Sequence, residues 1–178
     1  MAKSKNKKAK IIIAGLILIN LQLFAQVDAS WLGKWSGELF IFGQPGIEKL
    51  STIHMELHLS ETDSANVYNW RIIYKDSAND DRKYLLRTID EAKGRYAIDE
   101  KDGIMLEANL LGNAFISRFD IGGSLIETQY TLQEDKIVFE VTVSSVNPVS
   151  TSESQLVQGE VRSYTVTNYQ RAYLFKVP

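Results

Sequence analysis

Residues 52–60, Thr-Ile-His-Met-Glu-Leu-His-Leu-Ser, contain the pattern that decides the fold class of this chain. Apolar side chains at positions 53, 55, 57 and 59 alternate with polar side chains throughout the segment. Successive side chains of a β-strand point to opposite faces, so a period of two indicates a strand with one buried face. Antiparallel sheets that pack on a core with one side have this pattern. The segment therefore predicts a strand of an antiparallel sheet.

The same alternation recurs along the rest of the chain, between short stretches of turn-forming residues such as Gly122-Gly123. Residues 90–93 are expected to form a single helical turn at most, and residues 147–155 to form a loop. The final strand is expected as one bent strand or as two. The predicted strands are 35–42, 50–60, 67–75, 82–89, 94–98, 103–110, 114–119, 124–131, 137–145 and 156–176.

Ten sequential strands joined by tight turns predict an all-β, antiparallel up-and-down meander. Such a meander removes its exposed edges by closing into a barrel, here a single barrel of eight to ten strands. A barrel of this size can hold one small ligand. No linker divides the chain, so residues 30–178 are expected to form a single domain.

The N-terminal segment has the pattern of an export signal. Five lysines lie in the first ten residues and precede the apolar run Ile11–Phe24, which is too short to cross a bilayer about 30 Å thick. We expect residues 1–25 to be a signal peptide, cleaved after Ala25 or after Ala29. The protein would then be periplasmic or extracellular, with no stable membrane span. An uncleaved N-terminal anchor is the alternative.

Charge and composition exclude several function classes. The 178 residues carry 20 basic and 22 acidic side chains, and without residues 1–25 the net charge is about −7. An acidic body argues against nucleic-acid binding, which needs a basic face. The chain has no cysteine, which excludes disulfides, thiolate metal sites and cysteine nucleophiles.

The start of the first predicted strand resembles that of a known superfamily. Gly33-x-Trp35 resembles the Gly-x-Trp with which lipocalins and related calycins begin their first strand. Members often place an arginine of the last strand against that tryptophan, which implies a contact between Arg171 and Trp35. The resemblance implies a barrel of the calycin type, and it does not extend to fatty acid, because residues 43–49 are too short for the helical lid of the fatty-acid-binding proteins. It does not extend to haem, because no histidine follows His58, and no cofactor is expected.

Aromatic residues on several predicted strands suggest a binding site for a small hydrophobic or amphipathic ligand. They would line a lumen, with hydroxyl groups to orient the ligand. Arg118, if it faced inward, could bind a carboxylate through two hydrogen bonds. The alternative is that the aromatic residues only fill the core and that Arg118 lies on the surface. The candidate ligand-binding residues are Tyr68, Trp70, Tyr74, Tyr84, Arg118, Tyr130 and Tyr164.

Other polar motifs are weaker candidates for chemistry. In His54-x-Glu56-x-His58 the two histidine Cα atoms would lie about 13 Å apart along a strand, too far for one metal ion. Asp63-Ser64-Ala65 and Asp76-Ser77-Ala78 resemble acceptor sequences of periplasmic O-glycosylation, and both also suit turns. Acid–base catalysis would need carboxylates that converge in the barrel. The strand glutamates that could do so are Glu38, Glu56, Glu107, Glu127, Glu140 and Glu160.

The sequence therefore favours an exported, non-enzymatic, lipocalin-like barrel that binds a small hydrophobic or amphipathic molecule. A structural or interaction protein of the cell envelope with a filled barrel is the alternative, although no particular protein partner is indicated. A carboxylate-based barrel enzyme is the third interpretation, and no metal is expected.

Overall fold

The computed structural model describes residues 27–43, 51–75, 80–154, 156 and 159–178. The predicted signal peptide at 1–25 lies outside the described residues, and so does Ser77. A 3₁₀ turn at Glu91–Lys93 matches the single turn predicted there. The strands are β1 (Gly33–Phe42), β2 (Ser51–Glu61), β3 (Val67–Lys75), β4 (Asp80–Asp90), β5 (Arg95–Asp99), β6 (Met105–Leu111), β7 (Ala114–Ile121), β8 (Ser124–Leu132), β9 (Lys136–Ser145), β10 (Ser150–Glu153), β11 (Glu160–Ser163) and β12 (Val166–Val177).

Ten of these strands form one closed antiparallel barrel. Each strand pairs with its neighbours in the order β1-β12-β9-β8-β7-β6-β5-β4-β3-β2, and β2 returns to pair with β1. The prediction of an all-β meander closed into a barrel is confirmed. Strands β10 and β11 form a separate hairpin between β9 and β12, so part of the expected loop at 147–155 is a strand. No helix among the described residues has the length and hydrophobicity to cross a membrane.

The barrel closes where β1 approaches β12 very closely. A Cβ atom at Gly37 would lie 2.0 Å from the carbonyl oxygen of Tyr173, so only glycine fits this position. The predicted contact between Arg171 and Trp35 is wrong, because the register places Trp35 opposite Lys176. The Lys176 ammonium lies 5.0 Å from the centroid of the Trp35 ring, and it takes the position expected for the arginine.

One end of the barrel is filled by aromatic side chains and plugged by the segment before β1. The Trp35 indole donates a hydrogen bond to the Trp31 carbonyl at 3.0 Å, which holds the plug against the first strand. Trp31 and Tyr96 both pack edge-on against Phe115, with ring centroids 4.9 and 5.1 Å away. Val27 is also buried in this cluster. Because large rings fill this end, any space in the lumen must lie toward the other end.

Candidate ligand-binding cavity

The lumen contains a cavity of about 370 Å³ beyond the filled end. Its walls are apolar side chains that alternate inward on the strands around it, including Leu39, Ile72, Phe119 and Val141. This volume lies within the range of about 300–1,000 Å³ for small-molecule pockets. The interior is therefore only partly filled by the protein's own side chains.

An ion pair on β4 lies at the mouth of this cavity. The β3–β4 register places Asp80 opposite Tyr74 and Arg82 opposite Ile72, so both charged side chains share the inward face of the core residues. The Arg82 guanidinium donates to one Asp80 oxygen from Nε at 2.8 Å and from Nη2 at 2.7 Å. Its Cζ atom lies 4.9 Å from the centroid of the Tyr74 ring. The Arg82 and Asp80 side chains are 44% and 38% exposed, so the cavity reaches solvent at this end.

The surroundings of Arg82 keep it charged. Burial opposes the charged form, but the hydrogen bond to Asp80 and the nearby Tyr74 and Tyr84 outweigh burial and raise the pKa of Arg82. The guanidinium therefore remains a cation at every pH at which the protein is folded.

Glu100 is the second inward carboxylate at the mouth. Burial, together with the nearby charge of Asp102, raises the pKa of Glu100, while Arg82 and the Tyr84 hydroxyl act in the opposite direction. Within the described part of the chain Glu100 forms no ion pair. It is therefore a carboxylate at the edge of an apolar cavity that has no ion-pair partner among the described residues, although the charge of Arg82 is close enough to lower its pKa.

Tyrosine and tryptophan form the deeper wall. Burial raises the pKa of Tyr74 to about 12, and it raises the pKa of Tyr130 well above its ordinary value. Trp70 packs edge-on against Tyr130, with ring centroids 4.9 Å apart. The Trp70 indole acts on the Tyr130 hydroxyl as a donor and lowers the pKa of Tyr130, although its Nε1 does not reach full hydrogen-bond geometry with any described group.

The structure brings four of the predicted ligand-binding residues to this cavity, namely Trp70, Tyr74, Tyr84 and Tyr130. Tyr68 packs against the core but does not line the cavity.

Two of the predicted residues, Arg118 and Tyr164, lie away from this cavity. Arg118 is on the outer face, where its Nε donates to Glu127 at 2.8 Å. It points outward because its neighbours Ser117 and Phe119 take the inward side of β7. Tyr164 is exposed in the connection between β11 and β12.

The residues that sequence reasoning missed are Asp80, Arg82 and Glu100. Positions 80–83 are all charged and show no alternation, so nothing within that run marks an inward face. Extending the period of two backward from the buried Leu86 gives positions 84, 82 and 80 as inward. That extrapolation is the signal that could have found Asp80 and Arg82.

The outer face of the barrel holds the other polar motifs. The barrel-strand glutamates are in contact with basic or hydroxyl side chains there, for example Glu107 with Arg95 at 2.7 Å and Glu140 with the Tyr169 hydroxyl at 2.5 Å, whereas Glu160 lies on the separate hairpin of β10 and β11. The described residues contain no group of side chains suited to hold a metal ion. Ser64 is exposed in its turn.

A serine–histidine–glutamate chain crosses β1 and β2 on this outer face. Ser36 Oγ lies 2.9 Å from His54 Nε2, and His54 Nδ1 lies 3.0 Å from Glu38 Oε1. Hydrolases use this order of contacts to activate a serine. Here none of the three side chains lines the lumen, and Glu38 is more than half exposed. The lumen is therefore the stronger candidate site, because it can enclose a molecule.

The chain matches no protein-family model and no curated protein. Its class is therefore defined by its own geometry, a closed ten-strand antiparallel β-barrel with a partly empty lumen.

Proposed function

We propose that this protein is an exported, calycin-like barrel that binds a small hydrophobic or amphipathic molecule in its lumen without chemical conversion. The observation that supports this proposal is the cavity of about 370 Å³ with an apolar wall and a polar mouth. Burial of apolar ligand surface contributes about 25 cal/mol per Å², which is the main source of affinity in such a site. The Tyr74 and Tyr84 hydroxyls would orient the polar end of the ligand.

The N-terminal segment supports export. The first ten residues contain five lysines and precede an apolar run of fourteen residues, the order found in secretory signals. The chain has no cysteine, which is compatible with an oxidising compartment, and the barrel is stabilised by core packing and strand pairing.

The cavity also argues against a purely structural barrel. A barrel that only supports a binding surface gains stability from a filled lumen, because each unfilled space forfeits packing contacts. The filled end of this barrel has such packing around Phe115, and the open end does not.

The proposal is tested by titrating the purified protein with three ten-carbon probes, 1-decanol, decylamine and decanoate, in a calorimeter. We expect at least one probe to bind with a dissociation constant below about 1 mM. The variant Val143→Trp places a large ring in the cavity and should abolish binding. Its control is Thr142→Trp, which adds a ring on the outer side of the same strand and should leave binding unchanged. If the folded wild type binds none of the three probes, the proposed function is wrong.

A further inference from the structure

The charges of the described residues at the cavity mouth do not balance. Among these residues the inward-facing charged groups are Asp80, Arg82 and Glu100, which together carry one net negative charge when ionised. Asp80 and Arg82 neutralise each other through two hydrogen bonds. The excess charge therefore belongs to Glu100, which has a tyrosine hydroxyl and no cation as its direct partner among the described residues.

Arg82 is poorly placed to receive an anionic head group. Its Nε and Nη2 already donate to Asp80, and its face lies over the Tyr74 ring. An anion would have to displace Asp80 and also approach Glu100. Both steps are unfavourable, since charge-assisted hydrogen bonds are strong and like charges repel.

The aromatic wall suits a cation. The negative faces of tyrosine and tryptophan rings attract ammonium and guanidinium groups, and more strongly where water is excluded. Arg82 already makes such a contact with Tyr74, which demonstrates that a ring at this mouth accepts a cation. Trp70, Tyr84 and Tyr130 line the same cavity.

We propose that the lumen selects an amphipathic amine, whose protonated nitrogen pairs with Glu100 while its apolar part fills the aromatic cavity. This inference rests on the proposed ligand-binding function and specifies the chemical class of its ligand. The ammonium would supply Glu100 with the charged partner that the described residues do not provide there. The apolar part would occupy the space between Trp70 and Val141.

The experiment compares the affinities of decylamine, 1-decanol and decanoate at neutral pH, because these probes share one chain and differ in head-group charge. Hydrogen bonds to charged groups contribute about 1.5–3 kcal/mol, so decylamine should bind roughly 10- to 100-fold more tightly than decanol. Decanoate should bind more weakly than decanol. In Glu100→Gln the preference for decylamine over decanol should disappear.

The control variant is Glu134→Gln, which removes the same charge at the exposed turn before β9, on the plugged side of the barrel. It should keep the full preference for the amine. Tighter binding of decanol or decanoate than of decylamine overturns the amine inference and leaves the ligand-binding function standing. An amine preference that survives Glu100→Gln also overturns it. Absence of binding by all three probes removes the proposed function itself.

Discussion

Gly37→Ala should weaken the closure of the barrel. A Cβ at position 37 would lie 2.0 Å from the Tyr173 carbonyl oxygen, whereas real Cβ atoms essentially never approach another atom within 3.0 Å. The strands β1 and β12 must therefore separate by about 1 Å at this point, the difference between 3.0 and 2.0 Å. The obstacle is backbone, so no side-chain rotation can relieve it.

The structure allows the size of the effect to be worked out. Overpacking by a methyl group costs about 1–3 kcal/mol, and we expect about 3 kcal/mol here because a rigid strand pair must move. A domain of this size loses roughly 2–4 °C of melting temperature for each kcal/mol, so Tm should fall by about 6–12 °C. Total stabilities are about 5–15 kcal/mol, so the variant should still fold.

Urea unfolding followed by tryptophan fluorescence measures this loss, because Trp35 is buried two residues from the substitution. The matched control is Gly159→Ala, where an added Cβ meets nothing within 4 Å. The control should change the unfolding free energy by no more than about 0.5 kcal/mol. If Gly37→Ala proves equally neutral, the close approach of β1 and β12 is not a closure device and the reasoning is refuted.

Two further predictions concern the tyrosines and the N-terminus. Because the folded-state pKa values of Tyr74 and Tyr130 are raised above the unfolded value of about 10, their stabilising contribution is complete below that pH and is lost as pH rises toward about 12. The urea midpoint should fall between about pH 10 and about pH 12. It should fall less steeply in Tyr130→Phe, and an equal slope in this variant and the wild type would show that burial does not raise the pKa of Tyr130. Since Val27 is buried in the aromatic cluster of the plugged end, we expect cleavage after Ala25 and not after Ala29. The intact mass of exported protein checks this, and a mature chain starting at Ser30 would contradict it.

The sequence could predict the barrel, and it could predict the apolar face of strands with a clear alternation, such as β2. The alternation at Ile53, Met55, Leu57 and Leu59 determines the buried face of β2, because a register shift of one residue would expose every apolar side chain of the strand. The residue that contacts Trp35 could not be predicted from the sequence. It depends on the register between two strands separated by most of the chain, and Lys176 lies opposite Trp35 instead of Arg171. Register at closure is set by the barrel as a whole, not by either strand.

The polar residues at the mouth show why the site was predicted only in part. Arg82 lies in a run of charged residues and Arg118 lies between Ser117 and Phe119, so composition alone does not show which of the two side chains faces inward. The period of two along each strand does separate them. Arg118 is next to the inward Phe119 and so points outward, whereas Arg82 lies four residues before the buried Leu86 and so points inward. Aromatic residues were easier to assign because a large ring is seldom left in water, as Trp70 and Tyr130 illustrate.

The two ends of the barrel are filled to different extents, so they are not equivalent for the entry of a ligand. At the plugged end Trp31, Tyr96 and Phe115 meet in edge-on contacts that fill the lumen. At the other end the inward face carries the charged pair of Asp80 and Arg82. The Arg82 and Asp80 side chains are 44% and 38% exposed, so this end is open to solvent. A ligand should therefore enter past Arg82 with its apolar part leading, and its polar head should remain at the mouth.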